Sequence, residues 1–376
     1  MTLIARPNLI AIDNSIIGKI TEDYFSKDII KQQKAADFIE KTKIHGYVPL
    51  FCFHHIAEIL QHENDRVIQN RLSLISKFSQ IAWIKPKSKN ISIGSIIDIQ
   101  GLEIQKILES PNISLNELSN AVRKEIICYS SGYDFTAMIE PECLMIKELN
   151  LLDIQKGKAI DSISHVRDPD IDNIKLSVLK RSRLKTYEEV NASFNKLNNH
   201  YLSNLHERGD KKLENHENVV SEFLLSVSKL GEELYNHEED SLYLKFIRAS
   251  GIEEKYISPD WTIGEFGYFS IFVKKLEVIS RSFSLNKDSV LQHPLSKFPS
   301  WHIWVELDKC IRKEKYASGS NIIDKYLGSF SIYADLLIVD KRIKEYFKQI
   351  IRKDNRFSLL RGKIIKCSDY TSLLIT

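Results

Sequence analysis

What this chain has little of narrows the field first. Its five cysteines, Cys52, Cys128, Cys143, Cys310 and Cys367, stand far apart and form no CxxC pair. That spacing argues against a zinc ribbon and a disulfide framework, and it points to a reducing, cytoplasmic setting. No apolar run approaches the roughly 18 residues a membrane span needs. The opening MTLIARPNLIAIDNS has no basic segment followed by a sustained apolar core, because Asp13 interrupts it early. The expectation is a soluble chain with no secretory leader and no membrane contact. Charge imbalance is missing too: 53 Lys and Arg face 50 Asp and Glu, so net charge alone does not announce a nucleic-acid partner and local distribution has to. No repeat of fixed period and no low-complexity tract is present.

What is there is an α/β rhythm at the two ends of the 376 residues. Short aliphatic runs at Leu9 to Ile12, Tyr47 to Leu50, Ile81 to Ile84 and Leu336 to Asp340 read as buried strands, with Lys363 to Cys367 and Ser372 to Ile375 supplying a last one. Between them, 31–43, 51–63, 66–80, 301–313, 321–333 and 343–351 carry helical spacing. The middle differs. There 115–129, 143–160, 185–208, 218–248 and 263–283 show apolar residues at three and four spacing and few strand signals. The pattern predicts one discontinuous α/β domain, residues 1–86 plus 298–376, with a central mostly parallel sheet, interrupted by a large, mainly helical insertion at 87–297. That insertion is the expected surface for a second copy of the chain or a protein partner.

The candidate site is a set of acids at strand ends and on neighbouring helices. Asp13 closes the first strand and Asp340 the fourth, and in open α/β sheets the ligand crevice lies outside the C-terminal ends of the strands. Glu58, on the helix after strand two, and Asp324, on the helix before strand four, can point into the same gap. Carboxylates about 4 Å apart repel by roughly 4 kcal/mol at an effective dielectric near 20, so such a cluster needs cations or protons. An all-oxygen donor set favours magnesium or manganese over zinc. A divalent pair suits phosphodiester hydrolysis.

The order Asp13-Asn14-Ser15, Glu58 in HHIAEIL, Asp324 in GSNIIDKY and Asp340 in YADLLIVDKR resembles the PIN-like nuclease superfamily. The resemblance covers the two terminal parts. It implies a three-layer fold with the sheet ordered three, two, one, four, five, magnesium or manganese bound by Asp13, Glu58, Asp324 and Asp340, and single-stranded RNA as substrate. Ser15 would support Asp13 through its hydroxyl. Two departures stand out: Ile338 occupies a position where the family often has threonine, and about two hundred residues separate strand three from the helix carrying Asp324. The activity expected is that of a metal-dependent endoribonuclease. The alternative is a PIN-like module that binds RNA or a protein without cleaving.

Other features are weighed beside these. Lys341 and Arg342 open a basic stretch after Asp340 and are candidates for phosphate contact, against a solvated helix face. His54, Glu58 and His62 recur every four residues, yet lack the HExxH spacing of a zinc site. The acids of HVRDPDIDN at 165–173 alternate like a calcium loop, but Asn173 stands where the turn glycine belongs, and a polar loop is the better reading. Trp301 and Trp304 read as core, and Asp335, at the start of the fourth strand, as structural.

Overall fold

The computed structural model describes residues 7–88, 91–148, 169–180, 187–208, 217–222, 241–314, 321–366 and 370. Among the described residues six strands form one sheet: β1 (Asn8–Ile12), β2 (Tyr47–Phe51), β3 (Ile81–Ile84), β4 (Ile127–Ser130), β5 (Leu336–Val339) and β6 (Ile364–Lys366). Their order is β4-β3-β2-β1-β5-β6, and every neighbouring pair is parallel except β3 with β4. Without β4, the order is the three, two, one, four, five that the resemblance implies for the strands read from the sequence. In the last of these, Ile364–Lys366 is described, whereas Ser372 to Ile375 lies outside the described residues.

Alternation along the strands splits the core in two, since successive side chains leave opposite faces. Leu9, Ala11, Leu337 and Val339 join one apolar cluster, and Ile10, Ile12, Leu336 and Ile338 the other. The second face is covered by helices Asn14–Tyr24, Ile29–Ile44, Phe53–Leu60 and Asp65–Ser76. The first is covered by Ile96–Glu109, Leu115–Ile126, Ile263–Phe283, Pro299–Ile311 and Lys341–Lys353. Trp301 and Trp304 are buried there, their rings stacked with centroids 4.8 Å apart.

The middle of the chain therefore takes part in the main core. Helix Ile96–Glu109 buries Ile96, Ile99, Ile104 and Ile107 against the sheet, and Phe272, Leu276 and Ile279 join the same cluster. The expected helix over 115–129 stops at Ile126, and Ile127–Ser130 becomes β4, pairing Ile84 with Ile127 and Ile81 with Ser130. Strand pairing with the free edge of β3 outweighs the helical continuation there. The seams at 86/87 and 297/298 thus coincide with no break in sheet or core. A third, smaller cluster gathers Leu176, Tyr243, Ile247, Ile257 and Phe269. Of the helices expected at 143–160 and 218–248, the greater part lies outside the described residues, as does the start of the 165–173 loop. The rest of that loop includes a short helix, Pro169–Asp172.

Among the described residues no helix is long and apolar enough to cross a membrane.

Candidate functional site

Sheet register builds the crevice. Ile12 pairs with Ile338 across β1 and β5, so Asp13 follows one strand directly and Asp340 lies two residues past the register partner on the other. The backbone N–H of Asp13 donates to the carbonyl of Ile338 at 3.2 Å. Each acid also caps the helix that follows it, because a short side-chain acceptor at this position satisfies a free helical N–H. Asp13 Oδ1 accepts from the Ser15 N–H at 2.8 Å and from the Ser15 hydroxyl. Asp340 Oδ1 accepts from the Ile343 N–H at 2.7 Å. Capping explains where these acids sit, and it occupies one oxygen of each.

Asn14 ties the second acid to the first. Its side chain is 2 % exposed, and its Nδ2 donates to Glu58 Oε2 at 2.7 Å and to the His55 carbonyl at 3.0 Å. Its Oδ1 is buried with no hydrogen-bond partner among the described residues. Buried amide oxygens are rarely left so, which makes Asn14 a residue of interest in its own right.

Arg342 ties the other two acids together. It donates to Asp324 Oδ2 at 2.5 Å, to Asn321 Oδ1 at 3.0 Å and to Glu314 Oε2 at 3.2 Å, and its Nε lies 3.6 Å from Asp340 Oδ2. Glu314 also accepts from the Tyr346 hydroxyl. The sequence marked Arg342 for phosphate contact; here it pairs with Asp324 and Glu314 and lies beside Asp340.

Electrostatically the four predicted acids share one field. Burial pushes Glu58 up to about 7, with the Asn14 hydrogen bond and the charge of Arg71 opposing and the charge of Asp13 adding. Burial pushes Asp324 up to about 7 as well; Arg342 pulls it back in part, while Asp13, Asp340 and Glu58 each add to the rise. Asp13 is raised by burial against its Ser15 bonds, with Asp340 adding. These are the signs expected of carboxylates short of positive charge.

Behind this crevice lies a cation that sequence reasoning did not single out. Lys275, on helix Ile263–Phe283, sits 4.7 Å from the Trp304 ring centroid, 5.1 Å from Trp301 and 5.0 Å from Tyr326, and burial pushes its amine down to about 7. Tyr326 stacks on His54 with centroids 4.3 Å apart. His54 thus faces an aromatic ring, and burial holds it neutral, pushed down to about 3.

Among the described residues no three His, Cys, Asp or Glu side chains already form a metal-holding group. The acids turn toward Asn14, Ser15 and Arg342 instead. Donor chemistry and charge nonetheless fit a hard divalent cation: the candidates are all oxygens, the carboxyls of Asp13, Glu58 and Asp324 are raised, and the buried amide oxygen of Asn14 lies beside Glu58.

Fold and site together define a mixed α/β protein with an acid-lined crevice at the C-terminal edge of a mostly parallel sheet. Comparison of the chain with protein-family models, curated proteins and solved structures finds no match.

Proposed function

We propose that this is a PIN-like α/β protein acting as a metal-dependent endoribonuclease, which hydrolyses phosphodiester bonds in single-stranded RNA with magnesium or manganese. The observation that carries the reading is Asp324: buried, pushed up to about 7, and raised by the charges of Asp13, Asp340 and Glu58. Carboxylates set in one another's field cost folding free energy, so the set is better explained by a positively charged ligand than by stability. The strand order of the five parallel strands supports the fold assignment.

Asp13, Glu58, Asp324 and Asp340 would hold the ion. When bound, a divalent cation supplies charge that polarises a phosphodiester and activates water. The chain's own residues do the positioning. Ser15 fixes the rotamer of Asp13, Asn14 fixes Glu58, and Ile343 anchors Asp340. Lys341, exposed at the first turn of helix Lys341–Lys353, stands where a phosphate would arrive.

Arg342 supports a second reading, a PIN-like module that binds RNA or a protein without cleaving, since a guanidinium on Asp324 and Glu314 can take the place of an ion. One experiment separates the two. Labelled single-stranded RNA and DNA are incubated with the protein in manganese, beside Asp340→Asn and a chelator. The nuclease reading expects cleavage that both controls reduce by at least about a hundredfold. Undiminished cleavage by Asp340→Asn would sink the site assignment, and binding without cleavage in every metal would select the second reading.

A further inference from the structure

Helix Lys341–Lys353 starts at Asp340 and runs back along the sheet edge, its Ile343, Phe347 and Ile350 buried inward. Lys344, Lys348 and Arg352 recur at every fourth position and so form one stripe. That stripe faces Arg361 and Gly362 at the approach to β6 across a groove of about 420 Å³.

The cations of this one helix are used unequally. Arg342 is spent on Asp324 and Glu314, and Lys353 on Glu306 at 3.1 Å. Along the groove, Lys348 meets Glu345 at 2.7 Å with both side chains about half exposed, a pairing worth little in water. Lys344, Arg352 and Arg361 have no ion pair among the described residues. A merely solvated helix face has no reason to line a groove with unneutralised charges that start at Lys344, one helical turn past Asp340. The rise of 1.5 Å per residue puts successive cations about 6 Å apart and extends the track roughly 18 Å from Asp340. That spacing is comparable to the distance between neighbouring phosphates of an extended strand.

We propose that this groove carries the sugar–phosphate backbone of a single-stranded nucleic acid and leads it to the acids at Asp340. The inference rests on the nuclease reading and adds to it the path of the substrate. A single stripe matches one strand, whereas a duplex presents two rows of phosphates. The groove's aromatic, Phe347, is buried at 1 % exposure, so no ring is offered for base stacking. Contact is therefore with phosphates, and binding depends on length more than on sequence. Of the apolar side chains that line the groove, Phe347, Leu360 and Ile364 are buried and only Ile351 and Ile365 are partly exposed, too little apolar surface to insert into lipid, which disfavours an anionic membrane as the occupant.

The test uses the full chain in chelator, with binding of fluorescent single-stranded RNA of 20 nucleotides followed by anisotropy across a salt series. The triple variant Lys344→Gln, Lys348→Gln, Arg352→Gln should bind at least about tenfold more weakly, and the slope of log K against log salt should fall by about 0.7 per cation removed, roughly 2 in all. Lys31→Gln with Lys34→Gln, on helix Ile29–Ile44, should leave affinity and slope unchanged. Circular dichroism confirms folding, and Arg361→Gln alone gives a smaller loss of the same kind if the triple variant misfolds. Unchanged affinity and slope in both groove variants overturns the proposal. So does a groove variant that loses only binding to phosphatidylserine vesicles, which would make a membrane the occupant. Cleavage in manganese is read separately. Groove variants that still cut a trinucleotide but fail on the 20-mer support both proposals. Binding lost in the variants with no cleavage by the wild type leaves the groove standing and removes the nuclease.

Discussion

Strand β5 carries an aspartate just before it and another just after it, and the two ends treat them oppositely. Asp335, at the N-terminal end, accepts from both terminal nitrogens of Arg123 at 2.8 and 2.6 Å and from the Leu9 N–H at 2.7 Å. Burial pushes its carboxyl up, but Arg123 and Leu9 outweigh that and hold it below the ordinary value. At the C-terminal end Asp340 shares Arg342 with Asp324 and Glu314, and its neighbours Asp324 and Glu58 are pushed up to about 7. The same residue type thus serves as a neutralised clamp at one edge and as part of an under-neutralised set at the other. Asp335 has its countercharge beside it, whereas the crevice acids share theirs.

The largest expected effect tests the clamped edge. Arg123→Met leaves Asp335 half buried with its guanidinium gone, which should cost about 2 to 4 kcal/mol, somewhat under the usual figure for a fully buried pair because water reaches Asp335. A urea titration measures it, and cleavage per folded molecule should not change. Loss of cleavage at unchanged stability would show that this edge also serves the reaction and would break the contrast.

The open edge should respond in the opposite sense. Glu58→Gln keeps an acceptor for Asn14 and removes a charge that burial disfavours, so the metal-free variant should be more stable by about 1 to 2 kcal/mol above pH 7, discounted for partial exposure. The sign follows from a folded-state pKa raised from 4.5 to about 7. The folded wild type holds its proton to higher pH, so its stability falls as pH rises from about 4.5 to 7. The difference from the variant should vanish below that window. Manganese should raise the wild-type Tm and barely move the variant. A variant less stable than wild type at pH 8 would contradict the picture of an uncompensated acid.

What could be read from residues alone follows the same division between local and long-range causes. Strands β1, β2, β3 and β5 are aliphatic runs buried on both faces, so composition alone exposes them. Strand β4 was missed because ICYS continues the helical pattern of Leu115–Ile126 and shows no alternation of its own; its partner, β3, decides the matter. Helix Asn14–Tyr24 is absent from the helices read from the sequence, although the aspartate before it is a helix start signal. Helix Ile96–Glu109 escaped because polar Gln100 and Glu103 lie on its buried face, which blurs the apolar spacing that would mark it. Asp13, Glu58, Asp324 and Asp340 were legible as acids placed at strand ends and adjoining helices. The engagement of Arg342 with Asp324 and Glu314 was not, since it depends on how Lys341–Lys353 packs beside Asn321–Ser329. The orphaned oxygen of Asn14 was equally invisible, because burial and partners are properties of the fold.

The smallest expected effect is also the sharpest contrast, because it compares two hydroxyls of the same chemistry. Ser119, near the clamped edge, is buried and donates to the Ile332 carbonyl at 2.8 Å. Ser15, at the open edge, is exposed and donates to Asp13 Oδ1. Removing a buried hydroxyl costs about 1 kcal/mol, and removing an exposed one costs less because water takes its place. Ser119→Ala should therefore lower stability by about that amount and leave turnover alone. Ser15→Ala should leave stability within about 0.5 kcal/mol and lower kcat a few-fold, since Asp13 loses the bond that fixes its rotamer while keeping the Ser15 N–H. Ser15→Thr, which restores a hydroxyl, should recover most of the loss. Equal effects of the two alanine variants on turnover would mean that Ser15 acts through stability alone and that Asp13 needs no positioning.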